Sequence, residues 1–447
     1  MRIATTTIFS LGSNALQMHQ NTQAKLQAQL SANRRVLTPA DDPIASARIL
    51  DLAQAQSING QYATNSATAD SFMRLSESTL QQVTSTIQNV QELAVRAGNP
   101  ALAASEKKML DAELQGRYQE LLGLANTTDG QGNYLFSGFK GDIKPFTEAA
   151  FGQVTYQGDD GRRLVQISDG RQLPISEAGS DIFQKIKNGN GTFVTAYNAA
   201  NTGSGIVGPG EVTDPNKWAL APAPRDFSIQ FQVLPDPANI TKNITTYDLV
   251  NTTTGVSLID GATVPRAAGT AFPRTYAEGA DIEFKQLATD PVAIPVVPAW
   301  DYGIKTHVKG APAASATSND RFSVKTSTNV DLFSTLGALS SALNTYQSGS
   351  TGAAVFQNQL NTALSDLSNS LGSVVTRQAY LGARMNETDS VKDTTEDMKL
   401  QYTTTLTALE GLDYAAAISD FAENQMVLDA TRKSFAQVQD LSLFKYI

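Results

Sequence analysis

The chain has 447 residues, a net charge of -9 and no cysteine, a length that suggests about three domains at roughly 150 residues each. Without cysteine there is no disulfide framework, thiolate metal site or cysteine nucleophile, and an acidic chain with 34 Lys+Arg is a poor general nucleic-acid binder. Charged residues make up 17%, below a usual share of about 25%, and polarity comes instead from 35 Ser, 45 Thr, 25 Asn and 31 Gln, which pack between polymer subunits at a lower desolvation cost than charges.

No apolar run approaches the ~18 residues of a membrane span. The start, Met1-Arg2-Ile3-Ala4-Thr5-Thr6-Thr7-Ile8-Phe9, is broken by threonines and lacks the apolar stretch of a signal peptide. Proline marks the internal boundaries. It occupies positions 39, 43, 100, 145 and 174, then twelve positions between 209 and 312, and none afterwards. The proline-free stretches 44–99 and 313–447 are rich in Ala, Leu, Gln and Ser and read as long helices.

In the first arm Ile8, Leu11, Ala15, Met18 and Thr22 step by three and four, and Leu26 and Leu30 continue one position over. This predicts a helical seam of period 3.5. Thr38-Pro39-Ala40-Asp41-Asp42-Pro43 interrupts it, with Asp42 placed as an N-cap and Pro43 at the first helical position. The next helix, 43–97, carries Phe72, Leu75, Thr79, Val83, Ile87, Val90, Ala94 and Ala97 at the same spacing. Gly60 is its weak point, and Gly98-Asn99-Pro100 stops it, with Gly98 suited to a left-handed cap. A shorter helix is expected over about 105–126.

After Asn126 the period changes. Tyr134-Leu135-Phe136 reads as a short strand, and 154–157 and 164–167 as a hairpin around Asp159-Asp160-Gly161. Residues 180–187 suggest a short helix. Strands are expected at 227–233, 245–250, 281–284, 304–308 and 322–325, separated by loops rich in Gly, Pro, Thr and Asn. A helix at about 331–347 follows. On the return side Leu360, Leu364, Leu367, Leu371, Val374, Gln378, Leu381, Met385 and Thr388 alternate steps of four and three. The last arm repeats by sevens at Tyr414, Phe421, Leu428 and Phe435, with Ile418 beside them.

The expected fold is mainly α with a β-rich insertion, a rod whose N- and C-terminal helices pair as a coiled coil or bundle. Three domains are expected: residues 1–40 with 412–447, residues 41–189 with 326–411, and an outer β-rich domain at 190–325. Charge favours the pairing of the two arms. Residues 1–35 carry Arg2, Lys25, Arg34 and Arg35 without an acid, whereas residues 411–447 carry five acids against three bases; exposed pairs contribute little to stability.

No catalytic constellation emerges. Gly203-Ser204-Gly205-Ile206-Val207-Gly208 matches a dinucleotide-binding pattern literally, but Pro209-Gly210 follows where a helix is required, so the segment reads as a flexible linker. Asp41-Asp42 and Asp159-Asp160 have no further ligands at useful spacing, and capping and turn roles explain them. His19 and His307 stand apart, and no metal or cofactor is expected. What remains is apolar surface without an internal partner, because a pair of terminal helices cannot bury both of its faces within one chain. The ending Leu441-Ser442-Leu443-Phe444-Lys445-Tyr446-Ile447 is strongly apolar. Such arms are expected to be partly disordered in the monomer and to fold on assembly. The residues expected to form the assembly interface are Ile8, Leu11, Ala15, Met18, Leu26, Leu30, Ile418, Phe421, Leu428, Phe435, Val438, Leu441, Leu443 and Phe444.

Six segments in order carry a family pattern: Met1-Arg2-Ile3, Arg35 to Pro43, Leu124 to Gly130, Asn133 to Gly138, Tyr156 to Gly161, and Leu441 to Ile447. Together they closely resemble the flagellar hook-associated protein of the hook–filament junction (the FlgL type), within the flagellin family. The resemblance covers about 1–190 and 325–447, and the middle insertion is less specific. It implies an extracellular structural subunit of the bacterial flagellum, exported unfolded by the type III apparatus and not an enzyme. Implied partners are the other hook-associated junction protein, flagellin, further copies of itself in a ring-like layer, and an export chaperone on the C-terminal helix, through Ile418, Phe421, Leu428 and Phe435. Neither nucleic acid nor membrane is an expected partner. The alternatives are flagellin itself, which differs from this chain at the ending and at the proline-flanked Asp41-Asp42 loop, and a secreted adhesin acting through residues 190–325.

Overall fold

The computed structural model describes residues 5–236, 239–267, 270–291, 299–312 and 320–440. The fold is mainly helical with a β-rich middle. Its helices are α1 (Thr5–Ala32), α2 (Pro43–Ala97), α3 (Ala104–Ala125), α4 (Gly179–Phe183), α5 (Pro215–Leu220), α6 (Leu332–Asn344), α7 (Ser350–Glu410) and α8 (Tyr414–Asp440). None of the described helices is long and apolar enough to cross a membrane. Two compact units result, residues 1–68, 166–172 and 387–447, and residues 69–165 and 173–386.

Helix ends follow from local chemistry. The Asp42 carboxylate accepts the Ala45 N–H at 2.9 Å, and Pro43 opens α2. The helix passes Gly60 unbroken. Gly98 ends it differently from expectation. Gly98 is not among the residues with positive φ, so no left-handed cap forms, and a Cβ there would stand 3.0 Å from Leu360. A side chain at this turn would have to displace Leu360 by a few tenths of an ångström. Asp331 caps α6 by accepting the Phe333 and Ser334 N–H groups, and burial raises its pKa.

In the second unit the helical seams match the spacing in sequence. Leu360, Leu367, Val374, Leu381 and Met385 of α7 are buried, as are Phe72, Thr79, Val83, Ile87, Val90, Ala94 and Ala97 of α2; Leu75 alone is exposed, at 36%. Beside them Tyr118, Phe146, Phe183 and Phe333 form an aromatic cluster with ring centroids 5.3–6.0 Å apart. Lys107 is fully buried. Its ammonium donates to the Ala97 carbonyl at 2.5 Å and lies 4.2 Å from the Phe356 ring centre, so a cation closes the C-terminus of α2. Glu177, also buried, faces Arg162, Arg377 and Arg384.

Three local expectations change. Tyr134-Leu135-Phe136 is a turn with one isolated bridge between Thr128 and Tyr134, not a strand. The expected single hairpin is two. Gln153–Tyr156 pairs with Phe146–Ala150, and Leu164–Ser168 pairs with Arg171–Pro174 around Asp169-Gly170. The Asp159 carboxylate accepts the Phe139 and Gly161 N–H groups instead of turning a hairpin. Finally, 203–208 is no linker. Ile206–Val207 pairs with Val308 and Lys309, and the buried Asp320 carboxylate accepts the Thr202 and Gly203 amides. The loop that mimics a phosphate cradle binds the chain's own carboxylate.

The β-rich part holds two antiparallel sheets. One runs Val256–Ser257, Asn239–Asn251, Asp226–Asp236, Arg321–Thr326, Phe193–Tyr197, with Arg274–Thr275 also on Asn239–Asn251. The other runs Asp281–Lys285, Asp301–Lys309, Ile206–Val207, with Glu211–Val212 also on Asp301–Lys309. Phe227 of the first and Tyr302 of the second stack at 5.2 Å in a shared core with Phe193, Trp218, Phe231 and Phe322. Arg274 crosses this region to Asp290 at 2.6 Å, both side chains at most 5% exposed.

The inserted chain is fastened to α7 by uncharged polar groups. Asn358 accepts the Val207 N–H and donates to the Gly205 carbonyl, both at 2.9 Å. Ser365 and Asn369 donate to the Gly189 carbonyl at 2.8 and 2.7 Å, and Asp366 accepts the Gly189 N–H at 3.2 Å.

Two predictions test these internal contacts. Arg274→Met leaves the buried Asp290 carboxylate uncompensated and should cost about 3–5 kcal/mol, read by urea unfolding followed through Trp218 and Trp300, the chain's two tryptophans. Burial pushes the Asp366 carboxyl up to about 6 from an ordinary 3.8. The folded state therefore binds this proton more tightly, and stability falls as pH rises from about 4 to about 6. Asp366→Asn keeps an acceptor for Gly189, so it should be more stable than the parent by ~1–3 kcal/mol at pH 8 and not at pH 4, measured as urea midpoints.

Candidate functional site: the paired terminal helices

Helices α1 and α8 lie antiparallel. The Phe9 and Phe435 rings meet at 5.2 Å near one end, and the Tyr414 hydroxyl donates to the Leu30 carbonyl at 2.9 Å near the other. On α8 the inward positions are Ala417, Phe421, Asn424, Leu428, Thr431 and Phe435, so the heptad at Phe421, Leu428 and Phe435 marks the seam. On α1 they are Gly12, Leu16, His19, Gln23, Leu26 and Leu30. This stripe is one position away from the expected Ile8–Leu11–Ala15–Met18–Thr22 line. Leu11 and Met18 face outward, 63% and 61% exposed. Only the end of the stripe, Leu26 and Leu30, coincides with the expected one; toward the N-terminus α1 turns Gly12, Leu16, His19 and Gln23 to its partner.

That polar face has a specific geometry. His19 Nδ1 donates to Asn424 Oδ1 at 2.9 Å. Asn424 Nδ2 donates to the His19 carbonyl and to Gln23 Oε1, each at 2.9 Å. Asn424 is only 9% exposed, and its amide finds partners in this register, as a buried asparagine does in a register-specific coiled coil. Seven residues from His19, Gly12 leaves room for a ring: a Cβ there would stand 2.5 Å from Phe435.

Of the other expected interface residues, Leu428 is buried, Leu26, Leu30, Phe421 and Phe435 are half-buried between the two helices, and Ala15 is half-buried beside the seam. Ile418 is 53% exposed on the outer face, as is Met426 at 67%. Ile8 and Val438 lie within α1 and α8. Leu441, Leu443 and Phe444 lie outside the described residues.

The charge complementarity expected between the arms takes another route. Lys25 pairs with Asp41 at 2.6 Å, Arg35 with Asp42 at 3.2 Å and Arg34 with Glu410 at 3.2 Å. Lys25 of α1, and Arg34 and Arg35 just after it, thus bind the Asp41-Asp42 loop and the end of α7, while Asp413 caps α8 by accepting the Ala415 and Ala416 amides. The Lys25 ammonium, with the Thr38 and Leu37 amides, holds the Asp41 carboxyl far below its usual range. In the same unit Asn59 donates to the Thr395 carbonyl at 2.8 Å. Among the described residues no group of three His, Cys, Asp or Glu is placed to hold a metal ion.

These helices, capped loops and inserted sheets have counterparts. Residues 3–140 match the bacterial flagellin N-terminal helical region. The crystal structure of the flagellar junction protein FlgL from Legionella pneumophila is similar, with a TM-score of 0.65 and 26% identity over 82% of this chain and 100% of that one. That of FlgL from Xanthomonas campestris has a TM-score of 0.64 and 25% identity, over 80% of this chain and 99% of the other. The flagellar hook-associated protein 3 of Salmonella typhimurium is 38% identical over 186 residues, or 42% of this chain and 58% of that relative. The chain is thus similar to FlgL-type hook-associated proteins and, over residues 3–140, to the flagellin N-terminal region. It spans 58% of the length of the curated Salmonella relative.

Two of the family segments hold turns and helix ends. Arg35 to Pro43 forms the acid-bearing turn before α2, and in Leu124 to Gly130 the Asn126 amide ties α3 to Phe146, donating to its carbonyl at 3.0 Å and accepting its N–H at 2.9 Å. Sequence reasoning missed Gly12, Gln23 and Asn424 as seam residues; the signal was the heptad Gly12–His19–Leu26, obscured because two of its three members are not apolar.

The seam predicts an asymmetry between faces. Gly12→Leu should lower hydrogen-exchange protection of both α1 and α8 by about 1–3 kcal/mol, and Asn424→Ala by about 1–2 kcal/mol. Leu11→Ala and Met18→Ala, on the outer face, should change protection by less than ~0.5 kcal/mol.

Proposed function

We propose that this chain is a structural subunit at the hook–filament junction of the bacterial flagellum, outside the cell, and not an enzyme. The observation that carries this reading is the division of the terminal helices into two faces. The inner seam is completed within one chain by Gly12, His19, Gln23 and Asn424. The outer face keeps Leu11, Met18, Ile418 and Met426 in water. Residues of this kind on an exposed helix face are an interface in a protein that assembles, and Ile44 and Leu50 of α2, each 70% exposed, extend the apolar surface of the same unit.

In this reading the outer face packs against neighbouring copies in a ring-like layer, between the other hook-associated protein and the first flagellin subunits. Residues 1–40 with 412–447 act as the assembly domain, 41–189 with 326–411 as the helical-bundle domain with its hairpin, and 190–325 as the outer domain. The chain leaves the cell unfolded by type III export. Before export, a chaperone holds α8 through Ile418, Phe421, Leu428 and Phe435, the residues that later face α1 or the neighbours. A filament subunit is the second reading, supported by the match of residues 3–140 to the flagellin N-terminal region.

Deletion of 1–35 and 412–447 should spare the folded remainder and abolish filament attachment. Leu11→Asp and Met18→Asp should leave the monomer's helix content unchanged and still abolish motility rescue. Leu428→Asp and Phe435→Asp should weaken chaperone pull-down more than any His307 substitution. Electron microscopy of a deletion strain separates the two readings: hooks without filaments support the junction role, whereas normal hooks and junctions with a missing filament protein support the filament role. A truncated chain that still rescued attachment would remove the assembly role of the arms.

A further inference from the structure

We infer that the cleft between the β-rich part and α7 is a binding site for a carboxylated sugar. The cleft has a volume of about 680 Å³, within the ~300–1,000 Å³ range of small-molecule sites. One wall is the strand Asp301–Lys309, where His307 and Lys309 are two residues apart and so point to the same side. The other wall is α7, contributing Gln357, Asn361, Ser368 and Asn369.

The wall around His307 is built to hold it. A Cβ on Gly208 would stand 2.5 Å from the imidazole, so glycine at this position makes room for the ring. The Gly208 N–H donates to the His307 carbonyl at 2.9 Å, and its carbonyl accepts from the Thr195 and Thr306 hydroxyls at 2.8 and 3.1 Å. This is the glycine-rich segment whose sequence imitates a phosphate loop. Its first amides are occupied by Asp320, while its last glycine borders the cleft.

Polar capacity in the cleft is left over. Among the described residues neither the His307 imidazole nor the Lys309 ammonium has a hydrogen-bond or ion-pair partner, and no carboxylate lines the cleft. Gln357 donates to Asn361 at 2.9 Å, which leaves the Asn361 amino group and the Gln357 carbonyl free. Asn369 spends its amino group on Lys187 and Gly189 and keeps its carbonyl. Two nitrogen donors suited to an anion thus stand opposite several amide and hydroxyl groups suited to alcohols. A ligand with one carboxylate and several hydroxyls matches that ratio. A nucleotide does not, since no Phe, Tyr or Trp lines the cleft for a base.

The test is calorimetric titration of the full chain at low salt with trigalacturonate, against maltotriose, inorganic phosphate and a triglutamate peptide. Trigalacturonate should bind at least about tenfold more tightly than each of the others, the factor of one favourable contact. Lys309→Ala should weaken it by about fivefold or more and Asn361→Ala by about threefold or more, with unchanged circular dichroism; both side chains reach solvent. Equal binding of maltotriose would remove the acidic class. Equal binding of phosphate would reduce the cleft to an anion site, and equal binding of triglutamate would reassign it to a protein partner. Uronate binding that neither variant weakens, or no binding at ~10 mM, would also overturn the inference.

Discussion

One helix receives the irregular backbone of the inserted chain. Asn358, Ser365, Asp366 and Asn369 present side-chain groups along α7, and the carbonyls and amides of Gly189, Gly205 and Val207 come to them. Loops that enter an interior must have every N–H and C=O satisfied. An apolar helix cannot do this, and a charged one would carry a larger desolvation cost. Amides and hydroxyls satisfy both needs, which gives a physical reason for a chain rich in Ser, Thr, Asn and Gln and low in charge. Asp366 is the exception, and its raised pKa is the cost of that exception.

The same chemistry recurs at the terminal pair. A two-helix seam filled by leucine would be tight and permissive of slips by one heptad. A glycine socket for Phe435 and an asparagine bonded to His19 and Gln23 allow one register. Other apolar residues of the two helices are left on the outer surface, where Leu11, Met18 and Ile418 stand in water. The seam therefore mixes apolar contacts with a polar register lock, while further apolar residues stay on the outer face.

Much of this was legible in the sequence. Pro43 after Asp42, and Gly98 before Pro100, bound α2 to the residue. The spacing from Leu360 to Met385 marked the buried face of α7 because the partner there is an apolar core. It failed on α1 because periodicity reports which residues share a face, not what that face meets. It failed again near Asp159-Asp160-Gly161, where turn-forming residues serve as acceptors for another loop while Asp169-Gly170 makes the turn. The candidate site was half visible: the Phe421–Leu428–Phe435 heptad stood out, and the Gly12–His19 line did not. The cleft beside His307 was invisible, since it brings together segments around 206–210, 307–309 and 357–369 that are far apart in the chain and whose only sequence signature is a misleading glycine motif.

The pairing of Phe9 with Phe435 also sets a clock. The two residues are joined by nearly the whole chain, so the seam closes only after α8 has been made. At about 5–20 residues per second, α1 leaves the ribosome with its seam open for roughly 20–90 s before its partner exists. During that interval the socket at Gly12 and the His19 side chain are unfilled, and the apolar face of α1 is in water as well. The helix made first is therefore the one that waits longest for its own mate.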